Sequence, residues 1–394
     1  MRRIAIGERP GWRASARANG FTFHTLDGAP YWDESHAYAY AYAYAFTLGE
    51  IERDIEAPGT ELHALCLAFV ADAVEDARIL ASLAIPEAMW DVVRTSWRRG
   101  DPSLYGRLDL AYGGEGTGPA KLLEYNADTP TALYESAVFQ WLWLEDLLRL
   151  GRVPASSDQF NAVHERLIER FRAVGGTCLA LAAYADAPED RGTVAYLEDC
   201  ARQAGLATRF LDLGDIGLAA SGAFVDRTEA PIATLFKLYP WEWAFADAFG
   251  EALAATPTRF LEPPWKAVLS NKGLLPHLYA REPGHPNLLP AYFEDDPQKA
   301  RLGTSFVKKP LFSREGANVL MVRDGAVLAQ DHGTYGAGGH VRQALAELPC
   351  FDGRHALVGA WIVGDACVGI GLREAAGPIT TDAALFVPHV ILPG

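Results

Sequence analysis

Between Lys121 and Ala137 the chain reads KLLEYNADTPTALYESA, and oxygen-bearing side chains crowd the point where an apolar strand should end. Glu124, Asn126, Asp128, Thr129 and Thr131 stand close together there. An interior strand has no use for so many polar groups. A hard cation carrying a phosphorylated or carboxylated ligand does, because Mg²⁺ is bound by carboxylate, amide and carbonyl oxygens. Upstream, GRLDLAY (106–112) and AKLLEY (120–125) flank the glycine-rich GGEGTGP, the pattern of a hairpin. An antiparallel register centred on that loop sets Asp109 opposite Glu124 and Arg107 opposite Asn126. Side chains two apart share a strand face, so all four project to one side. Two facing carboxylates repel unless a cation or proton lies between them. Arg107 beside them would complement an anion held by that cation. The competing interpretation is a pair of ordinary exposed strand residues.

Other groups could complete such a site. Asn271-Lys272 opens an expected helix, and Lys308-Lys309-Pro310 closes an expected strand. Lysines so placed reach phosphates as point charges, although a lone lysine is more often a solvated surface group. In SREGANV (313–319), Gly316 permits the turn that brings backbone amides to a phosphate, while Glu315 and Asn318 add oxygen ligands. An ordinary β-turn explains that segment equally well. Arg373 ends the apolar run GIGLRE and suits a bidentate grip on phosphate or carboxylate. YGAGG (335–339) is a candidate lid, with His340 beside it. No GxxxxGK[ST], helix-opening GxGxxG, HExxH or GxSxG occurs, so a nucleotide would need a fold without those loops.

The elements that position these groups read as a combination of α/β and α+β architecture. With 394 residues the chain can bury a substantial core in one large or two to three smaller units. The net charge of −15 argues against nucleic acid as the main partner, because phosphate-backbone binding demands clustered Lys and Arg. Residues after the N-terminal arginines lack a signal-peptide apolar stretch, and no run reaches membrane-spanning length. Five scattered cysteines without metal spacing fit a reducing cytoplasm. HAYAYAYAYAF (36–46) alternates like a strand, but its alanines and the sequence that follows favour a helix starting near here. Residues 60–83 read as one amphipathic helix, with further helices from Ser136 and around 158–173. Residues 177–215 read as a βαβ piece with Gly205 closing its helix. The last third reads as predominantly antiparallel sheet with few helices, among them VRQALAEL (341–348). The expected division is a helical part with the hairpin (1–174), a small α/β part (175–258) and a glycine-rich nucleotide part (259–394).

Taken together, EYNADTP, NKGLLP, VKKP with SREGANV, and IGLRE resemble the synthetase part of the glutathionylspermidine synthase family. YWDES, DPSLYGRLD, FKLYPWEW and LREAAGPITTDAALFVPH extend the resemblance over nearly the full length, and the stand-alone branch without the amidase half is the nearest match. The resemblance implies an ATP-grasp fold with permuted motif order and a small pre-ATP-grasp-like subdomain. It implies Mg²⁺ ligands at Asp109, Glu124, Asn126 and Glu315, with two ions. It places Lys272 and Lys309 on the ATP phosphates, with Gly316 and Arg373 in the same site and Gln343 near adenine. Arg107 would steady the transferring phosphoryl group, with Arg373 assisting, and Asp128, Thr129 and Thr131 would meet substrate. The implied activity is ATP-dependent, ADP-forming ligation of a small-molecule acid, glutathione or another peptide, to a polyamine or other amine. Two other readings stand beside it: an ATP-binding regulator that no longer ligates, and a metal-free hydrolase using Asp109 and Glu124. Oligomeric state stays open.

Overall fold

The Ala-Tyr repeat enters the structure as a strand, not as the expected helix. In a computed structural model, which describes residues 1–26, 28–35 and 42–393, β2 (Tyr42–Phe46) pairs antiparallel with β1 (Arg2–Ala5) and parallel with β17 (His389–Ile391). Ala43, Tyr44 and Ala45 are buried, so the period-two pattern prevails once pairing is available on both edges. The rest of the repeat, His36 to Ala41, lies outside the described residues. The single helix expected over 60–83 is two, α1 (Ala57–Ala73) and α2 (Ala77–Ser82). They break at Asp76, whose extended backbone and side chain, accepting from Arg78 N, start the second helix.

The hairpin forms in the register its loop demands. β3 (Tyr105–Ala111) and β4 (Lys121–Asn126) set Asp109 opposite Glu124 and Arg107 opposite Asn126, with a bulge after Asp109. They lie at one side of an antiparallel sheet ordered β16 (Leu385–Val387), β15 (Ala366–Ala375), β14 (Arg354–Val363), β3, β4. Gly359 on β14 matters here, since a Cβ there would sit 2.6 Å from Arg107 Cδ. Its absence lets the arginine lie across the sheet. Apolar cores cover both faces. Leu108, Leu110 and Ile370 belong to one, and Tyr105, Trp361 and Phe386 to the other. α3 (Gln140–Arg149) follows the hairpin, and α4 (Val163–Val174) packs against β14 and β15.

The expected βαβ piece is present. β5 (Cys178–Ala183), α5 (Pro188–Gln203) and β6 (Ala207–Asp212) build a four-stranded parallel sheet with β7 (Thr234–Lys237) and β8 (Arg259–Leu261), in the order β8-β7-β5-β6. Gly205, at φ 96°, ends the connecting helix. α6 (Leu274–Arg281) starts just past Lys272, as expected. A five-stranded antiparallel sheet follows, ordered β9 (Ala291–Phe293), β13 (His340–Ala344), β10 (Phe306–Pro310), β11 (Leu320–Arg323), β12 (Ala326–Gln330). Here VRQALAEL is corrected: its first part is β13. Val341 and Gln343 alternate into the interior between β9 and β10, and that double pairing overrides a helical composition. Among the described residues, no helix is long and apolar enough to cross a membrane.

Candidate active site

On the hairpin face, Arg107 donates Nε to Asp109 Oδ1 at 2.6 Å, Nη2 to Oδ2 at 3.1 Å, and Nη1 to the Thr131 carbonyl at 2.6 Å. Asn126 Nδ2 bridges the two carboxylates, donating to Asp109 Oδ2 at 3.0 Å and to Glu124 Oε1 at 3.3 Å. Lys272 Nζ lies 3.0 Å from Glu124 Oε2 and donates to Ser313 O at 2.8 Å. Lys309 Nζ, from the end of β10, donates to Leu123 O and to Gln343 Oε1, both at 2.9 Å. The facing carboxylates are therefore held by an arginine, a lysine and an amide, where sequence reasoning asked for a cation or proton between them.

These contacts set the charges. Burial pushes the Glu124 carboxyl up, but Lys272 and Lys309 outweigh it and hold it down at about 2. Burial, with Lys272 adding to it, brings Lys309 down to about 8 against the pull of Glu124.

Around this cluster lies a cavity of about 150 Å³. Arg107, Asp109, Glu124, Asn126, Lys309 and Gln343 are among its polar lining, and Val307, Met321, Leu348 and Leu357 among its apolar lining. The 313–319 loop closes one side through Arg314, Glu315 and Gly316. Gly316 has φ 74°, and a Cβ there would meet Ile379 Cγ2 at 2.6 Å and Thr380 O at 2.9 Å. Glu315 lines the cavity as an exposed residue. Thr129 and Thr131 line it too, and Thr129 Oγ1 accepts from Arg314 Nη1 at 2.7 Å.

Asp128 turns the other way. Its carboxylate, 1% exposed, accepts from Lys237 Nζ at 3.0 Å and from Trp241 N at 2.7 Å, tying the end of β4 to the small parallel sheet. Arg373 lines the cavity and donates Nη2 to Thr381 O at 2.7 Å. Lys308 points to Glu294, at 3.8 Å. Residues 335–339, the lid candidate, border a neighbouring cavity with Phe312 and Trp243 and do not line the cavity at the hairpin face.

Several buried polar atoms at this cavity have no hydrogen-bond partner: Arg373 Nε, Arg314 Nε, Thr380 Oγ1 and, just behind, Ser313 Oγ. Orphaned donors converging on one cavity point to an anionic ligand. Among the described residues, no three His, Cys, Asp or Glu are grouped to hold a metal ion. The donor set fits Mg²⁺ in another way: two carboxylates and an amide on one face, with phosphate oxygens completing the shell.

Sequence reasoning missed four residues. Arg314 bridges Thr129 and Glu242, donating Nη2 to Glu242 Oε1 at 2.8 Å. Its place inside SREG, beside the flagged Glu315 and Gly316, was a usable signal. Glu135 is 1% exposed with Oε1 unpartnered, and burial together with Glu189 pushes its carboxyl up to about 8. Glu189, at the start of α5, is raised to about 7 by burial and Asp190. Tyr31 offers a buried hydroxyl without a partner in the field of both glutamates. Arg107 and Arg373 oppose the shifts of both glutamates, so this acidic group adjoins the arginine side of the site. Nothing in the sequence marks Glu135 and Glu189, which stand in helical patterns.

Comparison with known proteins gives a consistent picture. Residues 3–392 match the family described as glutathionylspermidine synthase preATP-grasp. A Haemophilus influenzae protein provisionally named acid–amine ligase is 43% identical over 389 residues, 95% of each chain. Trypanothione synthetase of Crithidia fasciculata is 30% identical over 82% of this chain, and the Escherichia coli bifunctional glutathionylspermidine synthetase/amidase 26% identical over 82%. The match spans only 53% and 55% of those two longer proteins. A glutathione synthetase-like effector from Globodera pallida shares the fold, with a TM-score of 0.53 at 10% identity, covering 98% of this chain and 99% of its own.

Proposed function

The chain belongs to the glutathionylspermidine synthase preATP-grasp family, and on that premise we propose that it is an ATP- and Mg²⁺-dependent, ADP-forming acid–amine ligase. The observation that carries the reading is the single cavity where Asp109, Glu124 and Asn126 meet Lys309, Arg107 and Arg373, with Lys272 reaching Glu124 from beside it. The acid substrate class is glutathione or another peptide, and the amine a polyamine or related base, taken from the names of the relatives. The fold reading is an ATP-grasp core in permuted order, with the metal strand ahead of the nucleotide lysines.

In this reading the adenine lies between Val307, Met321, Leu348 and Leu357, near Gln343, and the phosphates reach Lys272 and Lys309. Asp109, Glu124 and Asn126, with Glu315 from the loop, would hold two Mg²⁺ ions. When bound, Mg²⁺ supplies neutralisation of charge on the β- and γ-phosphate oxygens. Gly316 brings the loop backbone close to the phosphates. Thr129 and Thr131 orient the acid, so that its carboxylate oxygen attacks the γ-phosphorus and ADP leaves. Arg107 and the free Nε of Arg373 stabilise the charge spreading over the transferred group. The amine nitrogen then attacks the acyl carbon, phosphate leaves, and the amide forms. Glu135, Glu189 and Asp190 are mutually close carboxyls beside Arg107 and Arg373, and one of them would take the proton of the incoming ammonium group. Asp128 acts from behind, anchoring the strand end through Lys237.

The test is ADP release from Mg-ATP across pairs of acids and amines, beginning with glutathione and polyamines. The reading requires release that depends on both partners, with one amide per ADP. ATP binding without acid- and amine-dependent turnover would instead favour the non-ligating regulator.

A further inference from the structure

A second and larger cavity, of about 810 Å³, shares no lining residue with the catalytic one. α5 reaches both. Its first turn, with Glu189 and Asp190, lies in the field of Arg373 and Arg314, while Tyr196 and Asp199 further along line the second cavity. Aromatic rings make its walls: Phe23, Tyr134, Trp141, Phe160 and Tyr196. Three carboxylates, Asp158, Glu165 and Asp199, stand exposed around it, and no lysine or arginine lines it among the described residues.

Two further observations give the cavity a polarity. None of those three carboxylates is in an ion pair among the described residues. The Asp158 carboxylate accepts from Gln159 N, at 2.8 Å, and the Asp199 carboxylate from Gln203 Nε2, at 2.8 Å. Inside, Gln159 Oε1 and Asn161 Oδ1 are buried acceptors without donors, and Gln159 is 7% exposed. Their orientation follows from their amide nitrogens: Gln159 Nε2 donates to Gln140 O and His389 O, both at 2.9 Å, and Asn161 Nδ2 to Ala137 O at 3.4 Å. Among the described residues lining the cavity, the buried polar atoms without a partner are both acceptors. The Tyr196 hydroxyl, raised first by burial and by Cys200, is raised further by Glu165 and Asp199, so their field reaches the cavity floor. His164, 3.1 Å from Tyr196 OH, is the other titratable group on this wall.

We propose that this cavity binds an organic ammonium ion, its nitrogen among the carboxylates and amide oxygens and its apolar body against Trp141 and Tyr134. Aromatic faces attract cations, and buried acceptors demand donors, so the two demands are met by one ligand class. The site is independent of the ligase reading, because it needs neither ATP nor the catalytic cluster.

The test uses the full chain without nucleotide, so that no amine can be acylated. Benzylammonium and its neutral analogue benzyl alcohol are titrated by calorimetry. The ammonium should bind about tenfold more tightly than the alcohol, and both Trp141→Ala and the Glu165→Gln/Asp199→Asn double variant should weaken it about tenfold. These exposed substitutions should leave thermal stability and any acid- and amine-dependent ADP release unchanged. Equal binding of alcohol and ammonium would overturn the proposal. So would ammonium affinity untouched in both variants, which would place the cation at the reaction centre.

Discussion

Replacing Glu124 by Gln removes one negative charge and almost no volume, so its effects on fold and on chemistry can be separated. The fold should hardly notice. Gln can still accept from Asn126, and the side chain is 27% exposed, so weakening its charged contact with Lys272 should cost about 1 kcal/mol. For a chain of this size that is a fall in Tm of about 2 °C. The chemistry should notice a great deal. A carboxylate aimed at the developing phosphoryl charge is of the kind whose loss costs about 10²–10³ in kcat, roughly 3–4 kcal/mol. A further effect follows from Lys309. Glu124 supports its charge now, so without Glu124 the amine drops below about 8 and a phosphate contact weakens near neutrality. KM for ATP should rise along with the Mg²⁺ concentration needed for half activity. The assay is coupled ADP release under saturating acid and amine, with Mg²⁺ titrated, beside differential scanning fluorimetry. A kcat within about threefold of the parent and an unmoved Mg²⁺ midpoint, at the same Tm, would refute the placement of Glu124 in the metal shell.

Three more outcomes are expected. Asp128→Ala leaves Lys237 buried and unpaired, so unfolding free energy should fall by about 3–5 kcal/mol in urea titration, with much of it regained by adding Lys237→Met; a loss under 1 kcal/mol would remove its anchoring role. Gly316→Ala should raise KM for ATP and lower stability by about 1–3 kcal/mol, because the new Cβ meets Thr380 O and Ile379 in a left-handed conformation. As pH rises through about 8 the free enzyme loses the Lys309 charge, so kcat/KM for ATP should decline above that pH. Lys309→Arg should keep its charge and flatten that limb, and an identical decline in both proteins would assign it to another group.

The candidate-site hairpin was legible because everything that sets it is local. Alternation, a symmetric glycine-rich loop and the i, i+2 rule place four side chains without knowledge of the rest of the chain. The lysines at helix and strand boundaries were legible for the same reason. What escaped depends on distant partners. VRQALAEL carries helical composition, but β9 and β10 offer it two edges. Residues 60–83 look continuous until Asp76 caps a second helix. Asp128 sits among candidate ligands in sequence, yet Lys237, over a hundred residues on, turns it toward the small sheet. Glu135 and Glu189 matter only through mutual burial beside two arginines, a relation that no periodicity encodes.

The internal pairing of Asp109 with Arg107, and of Glu124 with Lys272, has a thermodynamic corollary. The protein keeps stand-ins seated where ligand charges would go. In the proposed reading, arrival of a nucleotide and its metal would be an exchange of partners, in which each internal cation is handed from a carboxylate to a phosphate. Such a swap makes affinity a small difference between two sets of strong contacts. The pairing also frees the resting fold from stabilising opposed bare carboxylates, so the proposed reaction centre would persist, assembled and electrically quiet, between turnovers.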